Sequence, residues 1–489
     1  MAANPKIKLE QVERFERDYT LRLPFRFGVI TVTEGTQAVI RATIALEDGR
    51  TATGVAAEAL AAKWFDKSPA FSDAQNVEQL RQAIGLAADL YRARGWSTPF
   101  GLYADAYRDQ MARGAELGLV PLVASYGPAL LDRAILDALG RALGLSFAEM
   151  IRRNVAGIAP GGLAPDLAGF DMQRFLGDLR PGSEIAVRHT VGLVDPIVAA
   201  DQKAGERVDD GLPETLEEVV RHYGCRYYKL KVGGDVAADL DRLTRIAGVL
   251  DRSAGEYRAT LDGNEQYDAV EGIAELWSRM RQTPALERLV AATLFIEQPI
   301  KRASALEKPV DALARLKPML IDESDGEIGT FPAAMKLGYG GVSSKNCKGL
   351  YKSILNAARV AKLNAESGVA KYFMSAEDLT TLAGVSVQQD LALVSLLGLT
   401  HVERNGHHFI DGMSFAPEGE QAAFARAHPD LYERSAGPAR LRIRDGKLAL
   451  GSLACPGFAV AADMDFAAMR AMPAPQAGRI KPEFPEKLK

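Results

Sequence analysis

From about residue 185 to residue 405, short apolar runs alternate with amphipathic stretches, and this alternation constrains the fold more than any other feature of the chain. The runs are AVRHTVGLV, YYKLKV, RATLDGN, TLFIEQP, MLIDES, GVSSKN, KYFMSAE and THVERN, eight in all. Between them, segments near 213–223, 235–252, 268–283, 304–316, 330–337, 350–366 and 379–397 read as helices. A strand, a helix and a second strand in that order return the chain in one direction, which builds a parallel sheet. Eight strands suffice to close that sheet into a (β/α)8-type barrel, an α/β fold.

The flanks have another texture. Residues from about 20 to 60 are rich in β-formers and turn at Asp48-Gly49, while 76–95 and 128–145 space their apolar positions at helical period. This predicts an α+β capping domain over 1–150, a barrel over 151–412, and a segment over 413–489 that returns to the cap through ARLRIRDGKLAL. Two stretches exceed what the repeat requires: Arg152 to Glu184 before the first barrel strand, and the polar loop Val198 to Gly211 after it, expected at the barrel mouth.

Composition narrows the class. Apolar residues make up 47% and charged residues 25%, with a net charge of -4, so no basic field points to nucleic acid or an anionic membrane. No run reaches the ~18 apolar residues of a spanning helix, and the first residues lack the apolar core of a secretion signal. Cys225, Cys347 and Cys455 are far apart and form no CxxC pair, against a disulfide framework. The expectation is a cytoplasmic protein, assembled as a homo-oligomer, that acts on a small molecule.

Strands of a parallel barrel are usually apolar, so charges at their C-terminal ends stand out. Five consecutive strands carry them: Lys229 and Lys231, Asp262, Glu297, Asp322, and Lys345. The last four lie 35, 25 and 23 residues apart, about one strand–helix unit each, which sets them around one mouth. Active sites of barrels of this kind lie at that mouth. Three carboxylates on neighbouring strands offer hard oxygen ligands suited to Mg²⁺, and no His/Cys cluster suggests zinc. Lys229 and Lys231 stand at i and i+2 and face one side of their strand. Two ammonium groups beside each other and a dication are expected to depress one another's pKa toward that of a useful base. Lys345 would act from the far side of the metal.

These residues carry a resemblance. Tyr228-Lys229-Leu230-Lys231-Val232-Gly233, Leu261-Asp262-Gly263-Asn264, Ile296-Glu297-Gln298-Pro299, Ile321-Asp322-Glu323-Ser324, and Ser344-Lys345 followed by Lys348-Gly349 resemble the enolase superfamily. Within it they are similar to the muconate-lactonizing branch, with its dipeptide-epimerase and succinylbenzoate-synthase relatives. Pro24-Phe25-Arg26 through Gly49-Arg50 resembles the family's capping domain, and Asp445-Gly446-Lys447-Leu448 its C-terminal piece. The resemblance implies a modified TIM barrel that is an isomerase or lyase. Asp262, Glu297 and Asp322 would hold Mg²⁺, Lys231 (assisted by Lys229) and Lys345 would be acid/base groups on opposite faces, and Glu323 would partner Lys345. The mandelate-racemase branch needs a His on the seventh strand, where this chain reads Tyr372-Phe373-Met374-Ser375.

The implied reaction begins with α-proton abstraction from a carboxylate and proceeds as racemisation, epimerisation or cycloisomerisation. Dehydration of an acid sugar or hydroxy acid is the alternative within the superfamily, and a non-catalytic barrel scaffold is the alternative of another class. Further candidates for substrate contact are Asn264, Glu403, Arg26 or Phe27, the Lys63-Trp64-Phe65 segment, and less so Arg188, His189 and His407-His408. Cys347 reads as packing, Lys348 as the weaker rival of Lys345, and Gly233-Gly234 as a turn.

Overall fold

The computed structural model describes residues 4–27, 30–203, 205–434 and 437–483; the side chain of Phe27 lies outside the described residues. The front of the chain alternates buried and exposed positions along long β-rich runs, and it folds into an antiparallel sheet. In it β1 (Ile7–Phe27) pairs with β2 (Ile30–Leu46), and β2 pairs with β3 (Thr51–Ala59). Gly49, at φ 87°, makes the β2–β3 turn that Asp48-Gly49 announces.

Five helices follow: α1 (Ala62–Phe65), α2 (Asp73–Arg94), α3 (Pro99–Glu116), α4 (Pro121–Ala124) and α5 (Tyr126–Leu143). Their ends are set locally. A Ser72/Gln75 capping box starts α2, Thr98 with Pro99 starts α3, and Gly144 in the left-handed region ends α5. Almost every residue of α5 is buried, because it lies between the cap sheet and the barrel. Against β3 the approach is so close that a Cβ on Gly54 would stand 2.1 Å from Ala138 N and 2.3 Å from Ala134 O.

The eight sequence runs all become strands: β4 (Glu184–Val191), β5 (Tyr227–Lys231), β6 (Arg258–Asp262), β7 (Thr293–Glu297), β8 (Met319–Ile321), β9 (Gly341–Ser344), β10 (Phe373–Ala376) and β11 (His401–Arg404). Each pairs in parallel with the next, and β11 pairs in parallel with β4, closing the barrel. Several expected barrel helices are shorter than their periodicity suggests. The one near 304–316 shrinks to Asp311–Ala314 between Pro309 and Pro318, and the one near 330–337 to Thr330–Met335 before Gly338 at φ 101°. Among the described residues no helix is long and apolar enough to cross a membrane.

The tail does more than return to the cap. After the small ladder of β12 (Tyr432–Glu433) and β13 (Arg440–Leu441), β14 (Lys447–Ala449) pairs antiparallel with the first residues of β4, where β5 has not yet begun. β15 (Arg470–Ala471) joins the cap sheet, against Phe15 and Glu16 of β1, and other tail residues hold the cap beside it: the Phe458 amide donates to Asp137 Oδ1 at 2.7 Å, and Gln82 Nε2 donates to Gln476 O at 2.7 Å. The segment thus returns to the cap, but not through the ARLRIRDGKLAL run: its last strand, β14, extends the barrel sheet, because the N-terminal half of β4 is left with open hydrogen-bonding groups.

The Gly54 contact generates a prediction. Gly54→Val keeps a good strand former but drives its side chain into the α5 backbone, so stability should fall by at least about 1–3 kcal/mol. Chemical denaturation measures this, and an unchanged midpoint would contradict the packing described.

Candidate active site

Because the strands are parallel and in register, their last residues meet at one end. Lys231 lies opposite Asp262, and Asp262 opposite Glu297, as cross-strand neighbours. Asp322 follows β8 and Lys345 follows β9 directly, while Glu377 follows β10 and Glu403 lies within β11. Every one of these charged side chains is buried. A buried charge needs a partner of opposite sign with good geometry, and the partners here are one another.

Lys229 is the hub. Its ammonium donates to Glu297 Oε1 at 2.9 Å, Glu377 Oε2 at 2.8 Å and Glu403 Oε2 at 2.9 Å, and lies 2.9 Å from Asp262 Oδ2. An ammonium has three hydrogens, so the fourth carboxylate is held by charge and not by a donated proton. Asp262 instead accepts from Lys231 at 2.5 Å and from the Asn264 amide at 2.8 Å. Burial alone would push the Lys229 ammonium down, but the carboxylates around it outweigh burial and hold it well above the ordinary lysine range. That reverses the expectation of a depressed lysine at this position. Burial and the neighbouring Asp262 and Glu377 push Glu297 up, whereas Glu403 is held well below the ordinary range because Lys229, Lys231 and Lys345 outweigh its burial.

Across the mouth, Lys345 donates to Asp322 Oδ2 at 2.7 Å. Its Nζ lies 4.2 Å from the centre of the Trp64 ring of α1. Burial opposes its charge, and Asp322 more than offsets this, raising the Lys345 pKa. Lys348 turns away from the mouth: it donates to Ser343 Oγ at 2.7 Å and to Asp322 O at 3.1 Å, and lies 2.9 Å from Asp325 Oδ2. Cys347 is buried, as a packing residue would be.

Lys229, Lys231, Lys345, Asn264 and Glu403 share the lining of one cavity of about 870 Å³. The cap supplies the facing wall, including Tyr19, Leu21, Phe25, Val32 and Trp64. Of the cap residues expected at the site, Trp64 and Lys63 line this cavity, whereas Phe65 packs edge-on against Tyr126 and Arg26 is not part of the lining. Glu323 does not partner Lys345. It accepts from Asn264 Nδ2 at 2.9 Å and lies 3.7 Å from Lys67 of the cap, because the segment after α1 brings that ammonium closer.

The polar loop 198–211 sits beside the cap, where Asp210 pairs with Arg22 of β1, but none of its described residues lines the cavity. Arg188 points into the barrel, paired with Glu377 and donating to Ser375 Oγ at 3.0 Å and Ala376 O at 3.0 Å. His189, His407 and His408 form a separate cluster, in which His189 and His408 are buried and His407 half-buried, with 3.3 Å between His189 Nδ1 and His407 Nε2. Gly233 and Gly234 form a turn whose amides donate to Asp239 at 2.7 and 3.0 Å. The sequence reading overlooked Glu377, Asp378 and Asn405. Its available signal was the acidic pair that ends KYFMSAED, at the same height as the other strand-end charges.

A divalent cation can be weighed against this donor set. Asp262, Glu297 and Asp322 are hard oxygen donors from adjacent strand ends, and Glu297 Oε2 is buried without accepting a directed hydrogen bond. Their chemical type fits Mg²⁺. Among the described residues, however, no three Asp, Glu, His or Cys side chains converge as a ready metal cage, since the ammoniums of Lys229 and Lys345 stand against the same oxygens. Ion and ammonium would compete for these carboxylates.

The hub predicts its own cost of removal. Lys229→Met strips the shared cation from buried carboxylates and should cost about 3–5 kcal/mol of stability at neutral pH. Adding Glu403→Gln should recover part of that loss, a coupling read from a double-mutant cycle of denaturation midpoints. Simple additivity of the two substitutions would refute the shared-cation geometry.

No protein-family model matches the chain, and no curated protein matches it in sequence. Solved structures do match. A muconate lactonizing enzyme from Pseudomonas fluorescens, complexed with muconolactone, is 18% identical with a TM-score of 0.57, over 94% of this chain and 98% of its own. A dipeptide epimerase from Enterococcus faecalis, complexed with Mg and the dipeptide L-Leu-L-Tyr, is 15% identical with a TM-score of 0.57, over 92% and 99%. An enolase superfamily member from Roseovarius nubinhibens, complexed with magnesium, is 18% identical with a TM-score of 0.56, over 96% and 99%. The likeness runs through cap, barrel and tail together, and so this chain has the capped-barrel fold of these enolase-superfamily structures.

Proposed function

We propose that this chain is an enzyme of the enolase superfamily that removes the α-proton of a small carboxylate through an enediolate, with racemisation, epimerisation or cycloisomerisation as the outcome. The observation that carries the reading is that Lys231 and Lys345 open onto one cavity from separate strands, each bonded to a different strand-end carboxylate. A proton taken from one face of a carbon returns on the other only if each face has its own acid/base group. Two lysines of equal chemical type favour such a 1,1-transfer over elimination of water, which is the second reading within the superfamily.

Asp262, Glu297 and Asp322 would hold Mg²⁺, which when bound supplies positive charge that acidifies the α-carbon and stabilises the enediolate. Lys229 is held charged by its carboxylate shell, so its part is electrostatic: it offsets part of the cluster's negative charge and leaves Lys231 as the base on that side. The cap wall excludes water and selects the substituent. Tyr19, Leu21, Phe25 and Val32 give that wall an apolar part, beside polar groups that include Thr31, Glu34 and Thr36, which favours a carboxylate that carries both an apolar side chain and polar groups. The dipeptide held by the Enterococcus faecalis epimerase is one compound of this description.

The test is α-hydrogen exchange. The protein is incubated in D₂O with Mg²⁺ and a library of N-acyl amino acids, dipeptides and hydroxy acids, and deuterium incorporation is read by NMR. At least one carboxylate should exchange. Lys231→Ala should abolish exchange from one stereoisomer and Lys345→Ala from the other, each by about 10²–10⁴-fold. If only one variant loses exchange, the one-base readings take over; no exchange across the library would favour a non-catalytic scaffold.

A further inference from the structure

Among the contacts of barrel and cap, one grip falls on the short segment around α1. Arg302, in the loop after β7, donates from Nη1 to Phe65 O at 2.7 Å and from Nη2 to Trp64 O at 2.9 Å. These are carbonyls at the C-terminal end of the one-turn helix α1, which has no further turn to satisfy them. The same guanidinium donates from Nε to Glu265 Oε1 at 2.7 Å and from Nη2 to Glu265 Oε2 at 2.9 Å, so Glu265, in the loop after β6, holds it from behind. Lys67 completes the grip, with Nζ 2.5 Å from Glu265 Oε2 and donating to Asn264 O at 3.1 Å.

The barrel side of this grip is built under strain. Asn264 and Glu265 have φ of 40° and 68°, and Gln298 has φ of 30°, a region that residues with a Cβ rarely adopt. Backbone pairing keeps them there, with the Glu265 amide donating to Gln298 O at 2.9 Å. The turn aims the Glu265 carboxylate at Arg302, and Arg302 fixes the carbonyl of Trp64 itself and that of the next residue, Phe65, so the backbone is held where it leaves Trp64. The Trp64 ring in turn covers Lys345, whose Nζ stands 4.2 Å from the ring centre.

We propose that Arg302 is a positioning residue for Lys345: with Glu265 it clamps Trp64 over the lysine, so that the ammonium is shielded from solvent and aimed at the cavity. The inference rests on the reading of Lys345 as an acid/base group for its role in the reaction, but the clamp itself does not depend on any substrate. The Lys231 side has no such cover from Trp64, so the clamp acts on one face of the substrate only.

Reductive methylation with formaldehyde and cyanoborohydride, followed by peptide mass mapping, tests the clamp in the whole protein. Lys345 should react slowly in the wild type. Arg302→Ala should speed its labelling by roughly tenfold, the scale of a lost desolvated cation–π contact. Arg302→Lys should not restore protection, because an ammonium cannot bridge two carbonyls and a carboxylate in the guanidinium geometry. Glu265→Gln, which keeps the shape of the site, should give an intermediate rate and serves if Arg302→Ala does not fold. Lys348, buried beneath Asp322, should label at the wild-type rate throughout. Unchanged Lys345 labelling in Arg302→Ala or Glu265→Gln, or a parallel rise at Lys348, overturns the clamp. With a carboxylate that exchanges its α-hydrogen, Arg302→Ala should slow the Lys345-dependent face by about the same tenfold and lower kcat more than it raises KM, leaving the Lys231-dependent face within about twofold. Faster labelling without exchange of any carboxylate would retain the clamp and remove the proposed reaction; equal slowing of both faces would remove the one-sided role.

Discussion

The barrel mouth depends on one balance: four carboxylates are drawn out of water around the ammonium of Lys229. Taking any of these charges out of water alone would be prohibitive, and the arrangement stands only because β5, β6, β7, β10 and β11 bring residues at or beside their C-terminal ends to one region of the barrel. The sheet register and the charge cluster therefore define each other. A slip of one residue on any of these strands would turn its carboxylate to the outer face and leave Lys229 short of a partner. Because the cluster is buried, salt should screen it far less than the ion pairs on the surface.

The same balance explains why Lys229 and Lys231, two residues apart on one strand, differ in character. Lys229 is enclosed by acidic groups from strands on both sides and stays charged. Lys231 bonds to Asp262 at the cavity edge. On the far side Lys345 has one carboxylate and an aromatic face in place of a shell of acids. Similar side chains thus face the cavity in three environments, and the differences come from which strand ends lie beside them.

Much of this was legible in the chain. The eight strand–helix units are periodic and local, so they can be read without knowing what packs on what, and the strand-end charges inherit their height from that period. The contacts that decide orientation were not legible, because they join residues far apart in sequence. Glu323 follows Asp322 and by sequence was expected to serve Lys345, yet Lys67 from the cap approaches it instead. A depressed lysine looked reasonable while Lys229 was weighed against Lys231 alone; Glu377 and Glu403, well over a hundred residues away, reverse that sum. Arg302 has no motif at all, since its partners are a carboxylate in another loop and two backbone carbonyls.

The C-terminal tail touches both halves of the molecule. It lends β14 to the open half of β4 and then travels on to lay β15 beside β1. A single covalent stretch is thus stitched into the barrel wall at one end and the cap sheet at the other, like a strap fastened to a box and to its lid. A lid fastened in this way cannot swing wide without tearing a strand from the barrel, so passage into the cavity falls to small segments at the seam, of which α1 with Trp64 is one. The strap also couples the unfolding of cap and barrel, because neither sheet is complete until β14 and β15 are in place.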